Sequence, residues 1–136
     1  MPEIEYVHDR METEELLERL CPPVRNWFMD KFPDFTEPQK VAIPRILNGE
    51  HLLLCSPTGS GKTLTAFLTI IDDLVRGSLD GTLPDSVQCV YISPIKALAN
   101  DIEKNLLGPL GEIKERYLPS RAKEIKVGLR TGDTPQ

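Results

Sequence analysis

Lys62 and Thr63 close the stretch "SPTGSGKT", residues 56–63, where a lysine, hydroxyls and two glycines fall together. Those residue types at that spacing suit phosphate chemistry. Gly59 and Gly61 can turn successive backbone N–H groups inward and let the main chain approach an anion closely. Lys62 can reach the β- and γ-phosphates of a nucleoside triphosphate, and the Thr63 hydroxyl can bind the Mg²⁺ that bridges them. Ser56, Thr58 and Ser60 complete the loop. The usual pattern, G-x-x-x-x-G-K-[ST], has glycine where Ser56 stands. A small residue suffices there if the backbone angles are ordinary. The bland alternative is a Gly/Ser turn that precedes a lysine by chance; a buried strand before the loop and a helix after it argue against that.

Both flanking elements are predicted. "HLLLC", 51–55, is a short continuous apolar run, the mark of a strand buried on both faces. A helix follows from Lys62 to about Arg76, then a turn-rich connection. "VQCVYI", 87–92, reads as a second strand, 95–107 as a helix ending at Gly108-Pro109 with further helix to about Tyr117, and "IKVGL", 125–129, as a third strand. This alternation predicts an α/β fold, a parallel sheet with crossover helices. Ligands of such sheets bind at the C-terminal ends of the strands. The segments starting at Ser56, Ser93 and Arg130 are therefore expected on one rim. Upstream, "TEELLERL" forms a helix capped by Thr13 and stopped by Cys21-Pro22-Pro23. Pro23 opens a second helix with Val24, Trp27, Phe28 and Phe32 on one stripe. A third starts after Thr36, meets a break at Pro44 and ends at Asn48-Gly49.

Triphosphate hydrolysis also calls for an apolar strand ending in an aspartate that holds Mg²⁺. "LTIIDD", 68–73, has that appearance. However, Phe67, Ile71, Leu74 and Val75 share one helical face, which puts Asp72 and Asp73 on the helix that follows the loop. Lys62 is also too near for a parallel crossover. The catalytic acid is expected to lie outside these 136 residues.

Composition narrows the remaining classes. Hydrophobic residues make up 40%, enough for a core. No apolar run approaches the roughly 20 residues of a membrane helix, and the N-terminus lacks a signal sequence. Cys21, Cys55 and Cys89 are far apart and odd in number, so they read as reduced thiols of a cytoplasmic protein. They lack CxxC spacing, and His8 and His51 are the sole histidines, so no metal-ligand cluster is expected. The net charge of −5 argues against nonspecific nucleic-acid binding, but the acidic excess lies in residues 1–50. A local binding surface further along stays open.

In order along the chain, "FTEPQ", "SPTGSGKT", "SPIKALAND" and "RTGDT" resemble the opening motifs of a superfamily-two, DEAD/DEAH-box-like ATP-dependent helicase. The fuller stretches "FTEPQKVAIPRIL", "LCSPTGSGKTLTAFL" and "YISPIKALANDI" most nearly resemble the large helicase-related proteins. The resemblance covers roughly residues 32–136. It implies that Ser56 is an ordinary first residue of the loop in this superfamily. It also implies that Phe35, Thr36 and Gln39 form an adenine-reading motif, with Gln39 on the adenine edge and ATP as the nucleotide. Thr36-Glu37-Pro38-Gln39 is equally an S/T-x-x-E/Q capping box, which needs no ligand. Ser93, Pro94, Lys96, Ala97 and Asn100 resemble a motif that grips the backbone of a single strand; an ordinary Ser-Pro helix start with a solvated lysine competes. Thr131 and Gly132 resemble the next gripping loop, against a plain Gly-Asp turn. Such contacts imply sequence-tolerant, salt-dependent binding.

The resemblance thus implies a RecA-like P-loop domain with parallel sheet and flanking helices, incomplete here. Residues 1–33 form an N-terminal helical segment, and 34–136 the front of the first RecA-like domain, ending before the acidic strand. ATP and Mg²⁺ are the implied cofactors. Single-stranded or duplex nucleic acid, DNA ahead of RNA, is the implied partner, together with a C-terminal half bearing a second RecA-like domain. The full protein is expected to couple ATP hydrolysis to translocation or unwinding, and the isolated chain to be inactive. A Ski2-like helicase and a nonmotor ATP-binding module are the alternatives.

Overall fold

The computed structural model describes residues 3–57, 59–94, 100–130, 132 and 135. Thr58, Lys96, Ala97 and Thr131 lie outside them. Among the described residues the regular elements are α1 (Thr13–Arg19), α2 (Pro22–Lys31), α3 (Glu37–Leu47), α4 (Lys62–Asp80) and α5 (Gly108–Tyr117), with a π-helical turn, Glu103–Leu107, leading into α5.

α4 anchors the core. Its Phe67, Leu68, Ile71 and Val75 are buried at helical spacing, against Leu16, Leu20, Val24, Trp27 and Phe28 of the N-terminal helices and Ile43 of α3. Ile102, Leu106 and Ile113 close the other flank. The Val24–Trp27–Phe28 stripe is buried as its spacing predicts; Phe32, beyond the end of α2, is partly exposed but stacks on Phe28. α4 runs past Arg76 to Asp80, because Gly77 lets the backbone of Leu83 fold close and Gly81 ends the helix at φ 70°.

Two proline expectations need correction. α3 does not break at Pro44; it continues to Leu47. Pro44 lacks the N–H that would bond the Lys40 carbonyl, and Met11 N–H donates to that carbonyl instead, at 3.0 Å. The N-terminal arm thus repairs the gap that proline opens. Likewise the chain does not break at Gly108-Pro109. The ladder widens by one residue, with Gly108 N–H on the Glu103 carbonyl, just before the proline that cannot donate. Thr13 does not cap α1; Glu12 holds that position, and the Thr13 hydroxyl donates to Asp34 at 2.5 Å.

The predicted strands 51–55, 87–92 and 125–129 carry no regular secondary structure, and no strand ladder forms among the described residues, so the expected parallel sheet is not present there. The helices touch two of these segments, 87–92 and 125–129. Tyr91 packs on Phe67, with ring centroids 4.6 Å apart, and Ile125 on the same core, while Leu53, Val90 and Ile92 face solvent. A strand that is apolar on both faces needs cover on both and neighbours on its edges. Segments 87–92 and 125–129 touch the core through Tyr91 and Ile125, and 51–55 is largely exposed.

Asp72 confirms its place on α4 and has a second role that its spacing did not reveal. Its buried carboxylate accepts from Cys21 N–H at 2.7 Å and from Arg76 Nε at 2.8 Å. Arg76 also donates to the Arg19 carbonyl. The α1–α2 corner is thereby fastened to α4. The signal available in the sequence was an aspartate four residues before an arginine on an otherwise apolar helical face.

Burial beside Asp72 pushes the Cys21 thiol up to about 12, from an ordinary 9.0. The unfolded chain therefore releases this proton first. The resulting stability is complete below about pH 9 and is lost as pH rises towards about 12. Urea midpoints should fall between pH 8 and pH 10.5 in the wild type and fall less in Cys21→Ala. Cys55 and Cys89 are exposed, and no disulfide joins the three thiols. A thiol reagent should label two sites at once and Cys21 only on unfolding.

Candidate nucleotide-binding site

The stretch 56–63 follows residues 51–55 and ends in the first residues of α4. Gly59 and Gly61 both lie at φ 84°, the left-handed region that other residues avoid. At Gly61 space matters as well: a Cβ would stand 2.6 Å from Gln39 Nε2. Gly61 is the N-cap of α4 and contributes no side-chain cap. The first helical bond from the loop is Thr65 N–H to the Gly61 carbonyl. The N–H groups of residues 62–64 therefore lack helical acceptors and, with the helix dipole, favour an anion. Lys62 and Thr63 begin the helix, beside those donors.

The loop is held from within and from without. Lys62 Nζ donates to the Ser56 carbonyl at 2.6 Å. The Ser56 and Ser60 hydroxyls lie 2.6 Å apart. From α3, the Thr36 hydroxyl donates to the Ser60 carbonyl at 2.8 Å and Gln39 Nε2 to the Gly61 carbonyl at 3.3 Å. Thr36 and Gln39 also complete the capping box, with Thr36 N–H on Gln39 Oε1 at 2.9 Å and Gln39 N–H on the Thr36 hydroxyl at 3.4 Å. The cap reading is thus realised, and the same two residues reach the phosphate loop. Phe35 is buried and stacks on Phe28, with centroids 4.1 Å apart.

Charge fastens α3 to the N-terminal arm and to the segment before it. Arg10 bonds Glu37 at 2.7 Å, and the buried Lys40 bonds Asp34 at 3.3 Å. Hydrogen bonds from Thr13 and from the Phe35 N–H, reinforced by Lys40, hold the Asp34 carboxyl below its ordinary range. Sequence reasoning took these charges only as part of an acidic surplus.

The second expected site is less assembled. Ser93 and Arg130 line one groove of about 780 Å³, floored by Phe67, Ile70 and Leu74 of α4. Two of the three expected rim segments therefore meet. Ser56 is not in this groove's lining. Pro94 is exposed, Asn100 begins the described helical turn before Glu103, and Gly132 lies in an exposed turn. No group of three or more His, Cys, Asp or Glu side chains suited to a metal occurs among the described residues.

A left-handed glycine turn, a lysine at the start of a long helix and helix-end N–H donors are the features of the P-loop class of proteins. The comparisons place it within that class. Residues 36–131 match the family model described as DEAD/DEAH box helicase, and the chain belongs to that family. It is 45% identical to an ATP-dependent helicase Lhr-Core of Methanocaldococcus jannaschii, over 98% of this chain and 16% of that protein. Against the Lhr-Core of Methanothermobacter thermautotrophicus it is 53% identical, over 93% of this chain and 15% of the relative. A solved structure, that of Mycobacterium smegmatis helicase Lhr bound to ssDNA and AMP-PNP, superposes with a TM-score of 0.71 and 44% identity. That match covers 88% of this chain and 15% of the other. The chain thus spans about one-sixth of the length of these relatives. Family and neighbour imply the RecA-like fold.

Proposed function

We propose that this chain is the ATP- and strand-binding front portion of the first RecA-like domain of an ATP-dependent helicase. The observation that carries the reading is the loop 56–63, set by two left-handed glycines at the head of α4 and tied to Thr36 and Gln39. Residues 34–136 carry its motifs, and residues 1–33 pack on them as a helical support.

In this reading the N–H groups at the start of α4 hold the phosphates, and Lys62 neutralises their charge. The Thr63 hydroxyl takes one position on Mg²⁺, which when bound screens the phosphate oxygens from one another. Ser56, Thr58, Gly59, Ser60 and Gly61 shape the cradle. Gln39, already fixed by the capping box, turns its remaining hydrogen-bonding capacity to adenine beside Phe35. Ser93, Pro94, Lys96, Ala97, Asn100, Thr131 and Gly132 grip the backbone of a single strand, DNA in preference to RNA. Segments 51–55, 87–92 and 125–129 join a parallel sheet when neighbouring strands are present. Hydrolysis and unwinding belong to the longer protein, in which a second RecA-like domain and an acidic strand complete the site, and the protein works in the cytoplasm. The support for this reading is the family membership, the ordered motifs and the loop geometry.

Two measurements test the separate parts. Gln39→Ala should reduce the preference for ATP over GTP at least severalfold; unchanged selectivity with lowered helix stability would leave only the cap. Fluorescence anisotropy with labelled single-stranded DNA should show binding that weakens with salt and, at every sequence tried, with Lys96→Ala. An unaffected Lys96→Ala would remove that residue from the strand contact.

A further inference from the structure

We propose that Ser56 is a positioning residue: its hydroxyl, donated to Ser60, holds the loop in the form that keeps Lys62 on the Ser56 carbonyl. The proposal rests on reading residues 56–63 as a nucleotide loop, and it concerns how Lys62 is released to a phosphate.

Proton counting sets the direction of the brace. Ser60 Oγ lies 2.6 Å from the Pro57 carbonyl, to which it donates, and 2.6 Å from Ser56 Oγ. A serine hydroxyl has one hydrogen. With that of Ser60 directed to Pro57, Ser56 is the donor to Ser60. Ser60 is also fixed by its N–H on the Pro57 carbonyl at 3.2 Å and by its own carbonyl, which accepts from Thr36. The loop tip is therefore anchored on several sides. Ser56, at the exit of a segment without a ladder, takes its hold from this tip.

The Ser56 carbonyl is also the acceptor for Lys62 Nζ, at 2.6 Å. One residue thus joins the brace to the ammonium group. A triphosphate arriving at the head of α4 competes with that carbonyl for Lys62. A glycine at 56 would keep the carbonyl and lose the brace, leaving the carbonyl free to swing away. Serine at this position therefore delays the transfer of Lys62, and the cost of the delay is that of one net hydrogen bond.

Stopped-flow mixing of the chain with a fluorescent ATP analogue and Mg²⁺ tests this. Ser56→Ala should raise the association rate by about twofold to tenfold, the factor one net hydrogen bond sets. The dissociation rate should stay near wild type, and the urea midpoint should fall by no more than the loss of one net hydrogen bond allows. A merely structural role would lower the midpoint and would not speed binding. Ser56→Thr, which keeps the hydroxyl, should restore the slow rate. Ser60→Ala removes the acceptor, so the double variant should bind no faster than Ser60→Ala alone. Unchanged or slower association in Ser56→Ala, or effects of the two changes that multiply, would overturn the proposal while Lys62→Ala still loses affinity. Equal affinity of wild type and Lys62→Ala would instead overturn the nucleotide reading, and this proposal with it.

Discussion

Lys62→Ala is expected to weaken binding of a Mg²⁺–ATP analogue by about a hundredfold. Lys62 stands at the head of α4, and among the described residues its ammonium donates to the Ser56 carbonyl. A charge-assisted bond to phosphate is worth about 1.5–3 kcal/mol, and each 1.4 kcal/mol is a factor of ten. Two phosphate contacts made at the cost of one carbonyl contact give roughly that loss. Folding should be little affected, because Lys62 is not part of the buried core. Unfolding free energies from urea titration within about 0.5 kcal/mol of wild type would separate a binding defect from a folding one. Lys62→Arg should recover little, since a forked guanidinium does not replace a compact ammonium inside a closed loop.

The second large effect concerns stability. Asp72→Ala should destabilise the fold by about 3 kcal/mol. Its carboxylate is almost wholly buried, and it holds both the Cys21 N–H and the Arg76 guanidinium. Arg76 is half-exposed and can turn to water. The Cys21 N–H cannot, so alanine leaves a buried donor without a partner as well as a small cavity. Asp72→Asn keeps an acceptor for Cys21 but loses the charge and the acceptor for Arg76, which is half-exposed and can turn to water, so it should cost about half as much. Equilibrium urea unfolding of the three proteins checks the order. An Asp72→Ala midpoint equal to wild type would mean that the α1–α2 corner is not fastened through this carboxylate. Because the corner packs on the helix that begins with Lys62, nucleotide affinity should also fall in Asp72→Ala, but far less than in Lys62→Ala.

The parts of the molecule that were legible in the sequence are those with local causes. Gly59, Gly61 and Lys62 describe their own turn, since positive φ and helix initiation are set within a few residues. Thr36 and Gln39 describe their own cap. The spacing of Phe67, Ile71 and Val75 placed Asp72 on a helix, and so excluded it as the acid of a strand motif. The parts that were not legible depend on distant partners. Pro44 reads as a break because its rule concerns one carbonyl, that of Lys40, yet Met11, far upstream, satisfies that carbonyl. The apolar runs around Leu53, Val90 and Ile92 record that cover is needed on two faces, but pairing is a property of neighbours, which a run cannot specify. Ser56 shows both limits. Its departure from glycine was visible, but its bond to Ser60 and its carbonyl under Lys62 required coordinates.

The central claim is that the loop 56–63 recognises a triphosphate. Displacement of a bound fluorescent ATP analogue by inorganic tripolyphosphate with Mg²⁺, which offers phosphates without a base, tests it most directly. The loop geometry predicts full displacement in the wild type and little binding to displace in Lys62→Ala. Displacement by adenosine but not by tripolyphosphate would contradict it, because the base alone would then carry the affinity.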